Sequence, residues 1–105
     1  MCILYVIDEE GMFERPPKKL SSVFLKKVVE YGEKLNCIFL SSIDFDNETI
    51  LNHLQLIQIK NELIFLKESH MVIDHQMLET FILELEVALA EGQSTYLRIY
   101  CNESD

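Results

Sequence analysis

Cys37-Ile38-Phe39-Leu40-Ser41, directly after Asn36, is the stretch on whose reading the fold turns. Four successive apolar residues between polar neighbours have the composition of a short strand buried on both faces. The run Cys2-Ile3-Leu4-Tyr5-Val6-Ile7 has the same character and ends at Asp8-Glu9-Glu10-Gly11. Between the two lies a helix over about residues 22–35. Ser21 and Ser22 can cap its start, and Phe24, Val28, Tyr31 and Leu35 recur at steps of four, three and four, with Leu25 and Val29 beside them. Gly32 weakens the last turn and Asn36 is suited to a left-handed cap. Strand, helix and strand within about 40 residues make a βαβ unit, whose crossover sets the strands parallel.

The rest of the chain extends this frame. Residues 11–19 hold both prolines, Pro16 and Pro17, and read as a loop in which Met12 and Phe13 form a lid on the core or an interaction point. From Asn47 to about residue 67 there is neither Gly nor Pro, and apolar stripes predict one long, largely buried helix. The competing reading is a hairpin turning at Lys60-Asn61. Residues 69–73 form a connector or a strand of three or four residues. Asp74 caps a helix over 74–91: Leu78, Phe81, Ile82, Leu85, Ala88 and Leu89 hold its apolar stripe, Glu79, Glu84, Glu86 and Glu91 lie off it, and Gly92 ends it. Residues 95–101 alternate, Leu97, Ile99 and Cys101 against Tyr96, Arg98 and Tyr100, as in a half-exposed edge strand. The expected fold is one α/β domain, β-α-β-α-α-β, with a small three-stranded parallel or mixed sheet, its first strand in the middle, packed by three helices.

Composition narrows function. The chain has 105 residues, with nine Lys and Arg against 18 Asp and Glu, a net charge of −9 that disfavours nucleic acid and anionic membranes and favours basic partners. No apolar run reaches membrane-spanning length, and the opening residues lack the features of a signal peptide, so a cytoplasmic location is expected. Cys2, Cys37 and Cys101 are odd in number and far apart, and read as buried, reduced hydrophobes.

The candidate site is acidic. If the first two strands are parallel, Asp8, Glu9 and Glu10 after one and Asp44, Asp46 and Glu48 after the other emerge on one edge, joined by Glu103 and Asp105 if the last strand is parallel too. Such a rim suits a basic partner or a cation, although Asp44 to Asn47 also have the composition of a helix cap. Asp8 with Asp44 or Asp46 is the pairing that could share a Mg²⁺, which gives an alternative: a small Mg-dependent phosphotransfer or hydrolytic domain. No glycine-rich phosphate loop, P-loop lysine or nucleophile elbow accompanies it, so the chain reads as a non-enzyme without a cofactor. His53, His70 and His75 lack helical metal-ligand spacing. Tyr96, Arg98 and Tyr100 make a strand face rich in the residue types of interface centres, or one covered by another element.

The helix from Asp74 through Ala88-Leu89-Ala90-Glu91-Gly92 into Tyr96-Leu97-Arg98-Ile99-Tyr100 resembles the C-terminal helix and strand of small bacterial immunity proteins, barstar-like inhibitors among them. Residues 59–67 are similar to helices of immunity proteins from contact-dependent inhibition systems. The N-terminal half departs from barstar in having one helix between its first strands and no tryptophan. The resemblance implies a single-domain antidote to a basic toxin, frequently a nuclease. Its binding residues would be Asp8, Glu9, Glu10, Asp44, Asp46 and Glu48, with Phe13, Tyr96, Arg98 and Tyr100 supplying the anchor. A third possibility is a subunit that dimerises through an exposed edge strand.

Overall fold

The computed structural model describes residues 1–12, 15–69 and 73–102. Along the chain come β1 (Cys2–Ile7), β2 (Lys18–Leu20), α1 (Ser22–Lys34), a 3-10 turn (Leu40–Ser42), β3 (Glu48–Leu51), α2 (His53–Glu68), α3 (His75–Glu91) and β4 (Tyr96–Cys101). The class is α/β with three helices, as expected. The sheet is different: among the described residues it has four strands in the order β2-β1-β4-β3, every neighbouring pair antiparallel. The expected parallel or mixed three-stranded sheet is thereby corrected, and β4 lies inside the sheet between β1 and β3 instead of at an edge.

The correction begins at residues 37–41, where the backbone donors of Cys37, Phe39 and Leu40 are taken by partners other than a strand. Asn36 caps α1 in the left-handed region, φ 62°, as its sequence position suggested. Cys37 N–H then donates to Gly32 O at 2.7 Å and Asn36 N–H to Glu33 O at 3.3 Å, the paired bonds of a Schellman cap. Downstream, Phe39 N–H and Leu40 N–H donate to the two carboxylate oxygens of Glu62 on α2, at 3.1 and 2.7 Å. Ser42 N–H and Ile43 N–H close back on Phe39 O and Leu40 O. Cys37, Leu40 and Ile43 are buried while Ile38 is 71% exposed, so the segment is a knot of turns clamped by one carboxylate. Gly32 is required beneath it: a Cβ there would stand 3.0 Å from Leu40 Cδ1.

The missing strand is supplied by residues 48–51, where one long helix was expected. Thr49 and Leu51 turn inward and Glu48 and Ile50 outward, a period of two. The helix starts only at Asn52, whose side chain accepts Gln55 N–H while the Gln55 side chain accepts Asn52 N–H, both at 2.9 Å, a capping box that overrides the uninterrupted apolar pattern. Lys18 and Lys19, expected in the loop, form with Leu20 a short strand that pairs with β1.

All three helices lie on one face of the sheet. Leu4 and Val6 of β1, Leu97 and Ile99 of β4 and Leu51 of β3 meet Leu25 and Val28 of α1, Leu56, Ile59, Leu63 and Leu66 of α2, and Leu78, Phe81, Leu85 and Ala88 of α3 in a single cluster. Lys60–Glu86 and Lys67–Glu79 ion pairs tie α2 to α3. Glu84, expected off the apolar stripe, is buried; its carboxylate meets Arg15 at 3.5 Å, pinning the proline loop to α3.

Cys2 and Cys101 face each other in the β1–β4 register and form a disulfide, which corrects the reading of all three cysteines as reduced. Cys37 is the free, buried one. Burial, and then the nearby Glu62 carboxylate, push its thiol pKa up.

Two outcomes follow from Glu62 and Cys37. Glu62→Ala, which leaves two backbone amides without their acceptor, should destabilise the protein by about 2 kcal/mol in urea unfolding. Because the Cys37 thiol ionises at lower pH in the unfolded chain than in the folded one, its contribution is complete below the unfolded thiol pKa and fades as pH rises through the folded value. Cys37→Ala should flatten the alkaline limb of the stability profile.

Candidate functional site: the open face of the sheet

The face of the sheet away from the helices carries three cross-strand rows. Lys19, Ile3, Tyr100 and Glu48 form one, Tyr5, Arg98 and Ile50 the next, and Ile7 and Tyr96 the last. None of the apolar or aromatic members of these rows belongs to the core cluster. Ile50 is 50% and Tyr100 42% exposed, whereas Ile7 is buried. Arg98 is held in place from two sides: its guanidinium lies 5.8 Å from the Tyr5 ring centroid, and its Nε donates to Glu48 Oε2 at 2.5 Å. Both partners of that ion pair are more than a third exposed, so it orients Arg98 more than it stabilises the fold.

At the Tyr96 end the face runs into a hollow of about 370 Å³ lined by Ile7, Ile50, Tyr96 and the acidic turn Asp8-Glu9-Glu10-Gly11. Asp8 builds that turn: its Oδ1 accepts Glu10 N–H at 2.9 Å and Met12 N–H at 3.0 Å, and Gly11 adopts φ 81°. Glu9 and Glu10 are exposed.

The single acidic rim expected from the sequence does not exist. Asp8, Glu9 and Glu10 follow β1, but Asp44 and Asp46 precede β3 instead of following a strand. Since β1 and β3 both run antiparallel to β4, the two groups stand at opposite ends of the sheet. A strand of six residues separates such ends by about 20 Å, beyond the reach of one shared cation. The Asp8–Asp44 pairing behind the Mg-dependent alternative is therefore absent. Among the described residues no group of three or more His, Cys, Asp or Glu is placed to hold a metal ion. Asn102 hydrogen-bonds Met1, so the end of β4 lies with the Asp44 group; Glu103 and Asp105, like Phe13 and His70, lie outside the described residues.

Asp44 acts locally. Its carboxylate accepts Asp46 N–H at 2.9 Å and the Asn47 side-chain amide at 3.4 Å, and its own N–H donates to Thr49 Oγ1. The Asp46 amide first, and then the Asn47 side chain, hold its pKa below the ordinary aspartate value. The helix cap that the composition of residues 44–47 suggested is not formed; Asp44 closes a turn that leads into β3, and the helix is capped by Asn52.

Of the expected binding residues, the structure brings Tyr96, Arg98, Tyr100 and Glu48 together on one face and sets Asp8, Glu9 and Glu10 at its end. Sequence reasoning missed Ile3, Tyr5 and Ile50. Tyr5 carried the signal: a phenol in an otherwise aliphatic run marks a strand with one wet face. With β4 interior, the short strands β2 and β3 are the edges, which removes the expected dimerisation edge. Comparison with protein-family models, with curated proteins and with solved structures finds no match to the chain.

The lowered Asp44 pKa has a defined consequence in acid. The folded state holds that proton less tightly than the unfolded chain, so the stabilisation is present above the unfolded aspartate pKa and lost as pH falls through the lower folded value. Below about pH 4 the wild type should therefore lose stability that Asp44→Asn does not, as measured by urea midpoints from pH 2 to 7.

Proposed function

We propose that the chain is a non-enzymatic binding protein of the immunity type, an antitoxin-like antidote that docks on and neutralises a basic cognate toxin, with nucleases the class such a partner fits best. One observation carries the reading: a sheet face bearing Tyr5, Tyr96, Tyr100, Ile3 and Ile50 is left outside the helical core, in a chain of net charge −9. Half-buried Ile3, Tyr5 and Tyr96 and exposed Ile50 and Tyr100 around an oriented arginine have the composition of an interface centre. The surrounding negative field steers a basic protein toward it. The same field disfavours a second copy of the chain as the occupant.

On this reading Tyr96, Tyr100, Tyr5 and Ile50 are the anchor, and Glu9 and Glu10 meet Lys or Arg of the partner. Asp46 adds charge from the other end, where Glu48 is held by Arg98. Lys19 and Arg98 are cations on the same face, Arg98 already engaged by Glu48. The partner must therefore bring its strongest positive charge to the Tyr96 end. Cytoplasmic residence suits an antidote that meets its toxin inside the cell. The Cys2–Cys101 bond pulls the other way, because disulfides persist mainly in oxidising compartments. No helix among the described residues is long and apolar enough to cross a membrane.

The test takes as candidate partners the basic proteins encoded by the reading frames that flank this chain's own gene, screened for toxicity when expressed alone. Co-expression should protect cells from that toxin, and protection should fail with Tyr96→Ala combined with Glu9→Lys and Glu10→Lys. In a purified system Tyr96→Ala should weaken binding by about 30-fold, as for an interface hot spot. Association should slow by roughly tenfold or more between 50 and 500 mM salt. There is no tryptophan, and three of the four tyrosines lie on this face, so tyrosine emission reports docking directly. An affinity indifferent to both salt and Tyr96 overturns the proposal.

A further inference from the structure

We infer that the Cys2–Cys101 disulfide is a redox clasp on the open face, which is fully assembled in the oxidised chain and loosens from one end in the dithiol form. As regulation of binding this rests on the reading above; as a property of the fold it does not.

The position of the bond carries the argument. Cys2 and Cys101 are the terminal pair of the β1–β4 ladder, and the next pair inward is Ile3 with Tyr100, which in turn faces Glu48. The two sulfurs point to the core side, with Cys2 fully buried and Cys101 6% exposed, directly behind the first row of the open face. Outside the bond, among the described residues, lies the Met1–Asn102 rung, with Met1 N donating to Asn102 O at 3.1 Å and Asn102 N to Met1 O at 3.0 Å. Local opening of this end of the ladder gives a reductant its path to the sulfurs.

The bond is also separable from the rest of the fold. Five further register pairs of the same ladder, Ile3 with Tyr100 to Ile7 with Tyr96, lie beyond it, and the helix-packed cluster, of which the two cysteines are members, extends past them to Leu4, Val6, Leu97 and Ile99. Loss of the bond therefore frays one end of the sheet and spares the Tyr96 end. It spans 99 residues of sequence, nearly the whole chain, the geometry in which a cross-link restricts the unfolded state most. Cys37 is a poor internal exchange partner, since its buried thiol resists ionisation.

The chemistry is thiol–disulfide exchange with an external dithiol. One thiolate of the reductant attacks a cysteine sulfur; the S–S bond breaks, a mixed disulfide forms, and the other cysteine leaves as a thiolate and is protonated. The second thiol of the reductant then closes its own disulfide and releases the second cysteine as a thiol. Two electrons and two protons pass to the protein.

The experiment uses the whole chain and dithiothreitol. Thiol counting in denaturant without reductant should find one thiol, Cys37, in the oxidised protein and three after reduction. Hydrogen exchange should then accelerate at residues 2–4 and 99–101 by at least tenfold more than at residues 6–7 and 96–97, where the change follows only the lower global stability. The melting midpoint should fall by roughly 10 °C or more. Cys37→Ala, which keeps the clasp, should respond in the same way. Three free thiols in air-oxidised protein, identical exchange in both states, or a uniform loss of protection along the chain would each overturn the inference. If the redox response is present but neither state binds the toxin, the binding proposal fails and the clasp stands; if both states bind equally, the clasp does not regulate that site.

Discussion

The pairing of the first strand with the last is the interaction on which everything else in the molecule rests. β1 and β4 are joined over six residue pairs and occupy the middle of the sheet, with β2 attached to one and β3 to the other. Because side chains alternate along a strand, this one ladder makes two surfaces. Leu4, Val6, Leu97 and Ile99 form the floor on which the helices pack, and Tyr5, Arg98 and Tyr96 form the middle of the open face. Core and candidate site are thus the two sides of a single register. A slip by one residue would exchange them, placing tyrosines and an arginine under the helices, and burial of Leu4 and Leu97 makes that slip prohibitive.

The acidic residues divide by what their carboxylates already hold. Glu62, Asp8 and Asp44 each accept backbone amides and are spent on turns, and Glu84 is buried against Arg15. Glu48 is committed to Arg98. This leaves Glu9, Glu10 and Asp46 as the acids nearest the face for a partner. Steering needs only the net field and is indifferent to which carboxylate supplies it. Anchoring is local, and here it falls to the aromatic rows instead of the acids.

Where a local signal and the tertiary outcome agree, the sequence is readable. α1, α3 and β4 follow directly from their apolar periods, and Ser21, Asn36 and Asp74 end their helices as their chemistry suggests; β1 is a strand as its apolar run suggests, but Ile3 and Tyr5 are half-buried on one face where burial on both was expected. Residues 37–41 and 47–52 share one difficulty: their apolar pattern alone does not distinguish a strand, a helix and a buried turn. An apolar run in a strand and one in a buried turn look alike until the partners of the backbone amides are known, and here that partner is Glu62, more than 20 residues away. The capping box Asn52–Gln55 was readable and would have divided the supposed long helix. The acidic rim failed as a direct result, because its geometry was inherited from the parallel sheet. The Tyr96–Arg98–Tyr100 stripe needed only the local alternation, so it survived.

A sheet closed by its first and last segments also has a timetable. The ribosome produces β1 about 90 residues before β4, an interval of roughly 5 to 20 s at ordinary elongation rates. Until then β1 has only the three residues of β2 to pair with. Over that interval the nascent chain carries an apolar strand with one edge bare, an edge of the kind that pairs with other chains unless it is shielded.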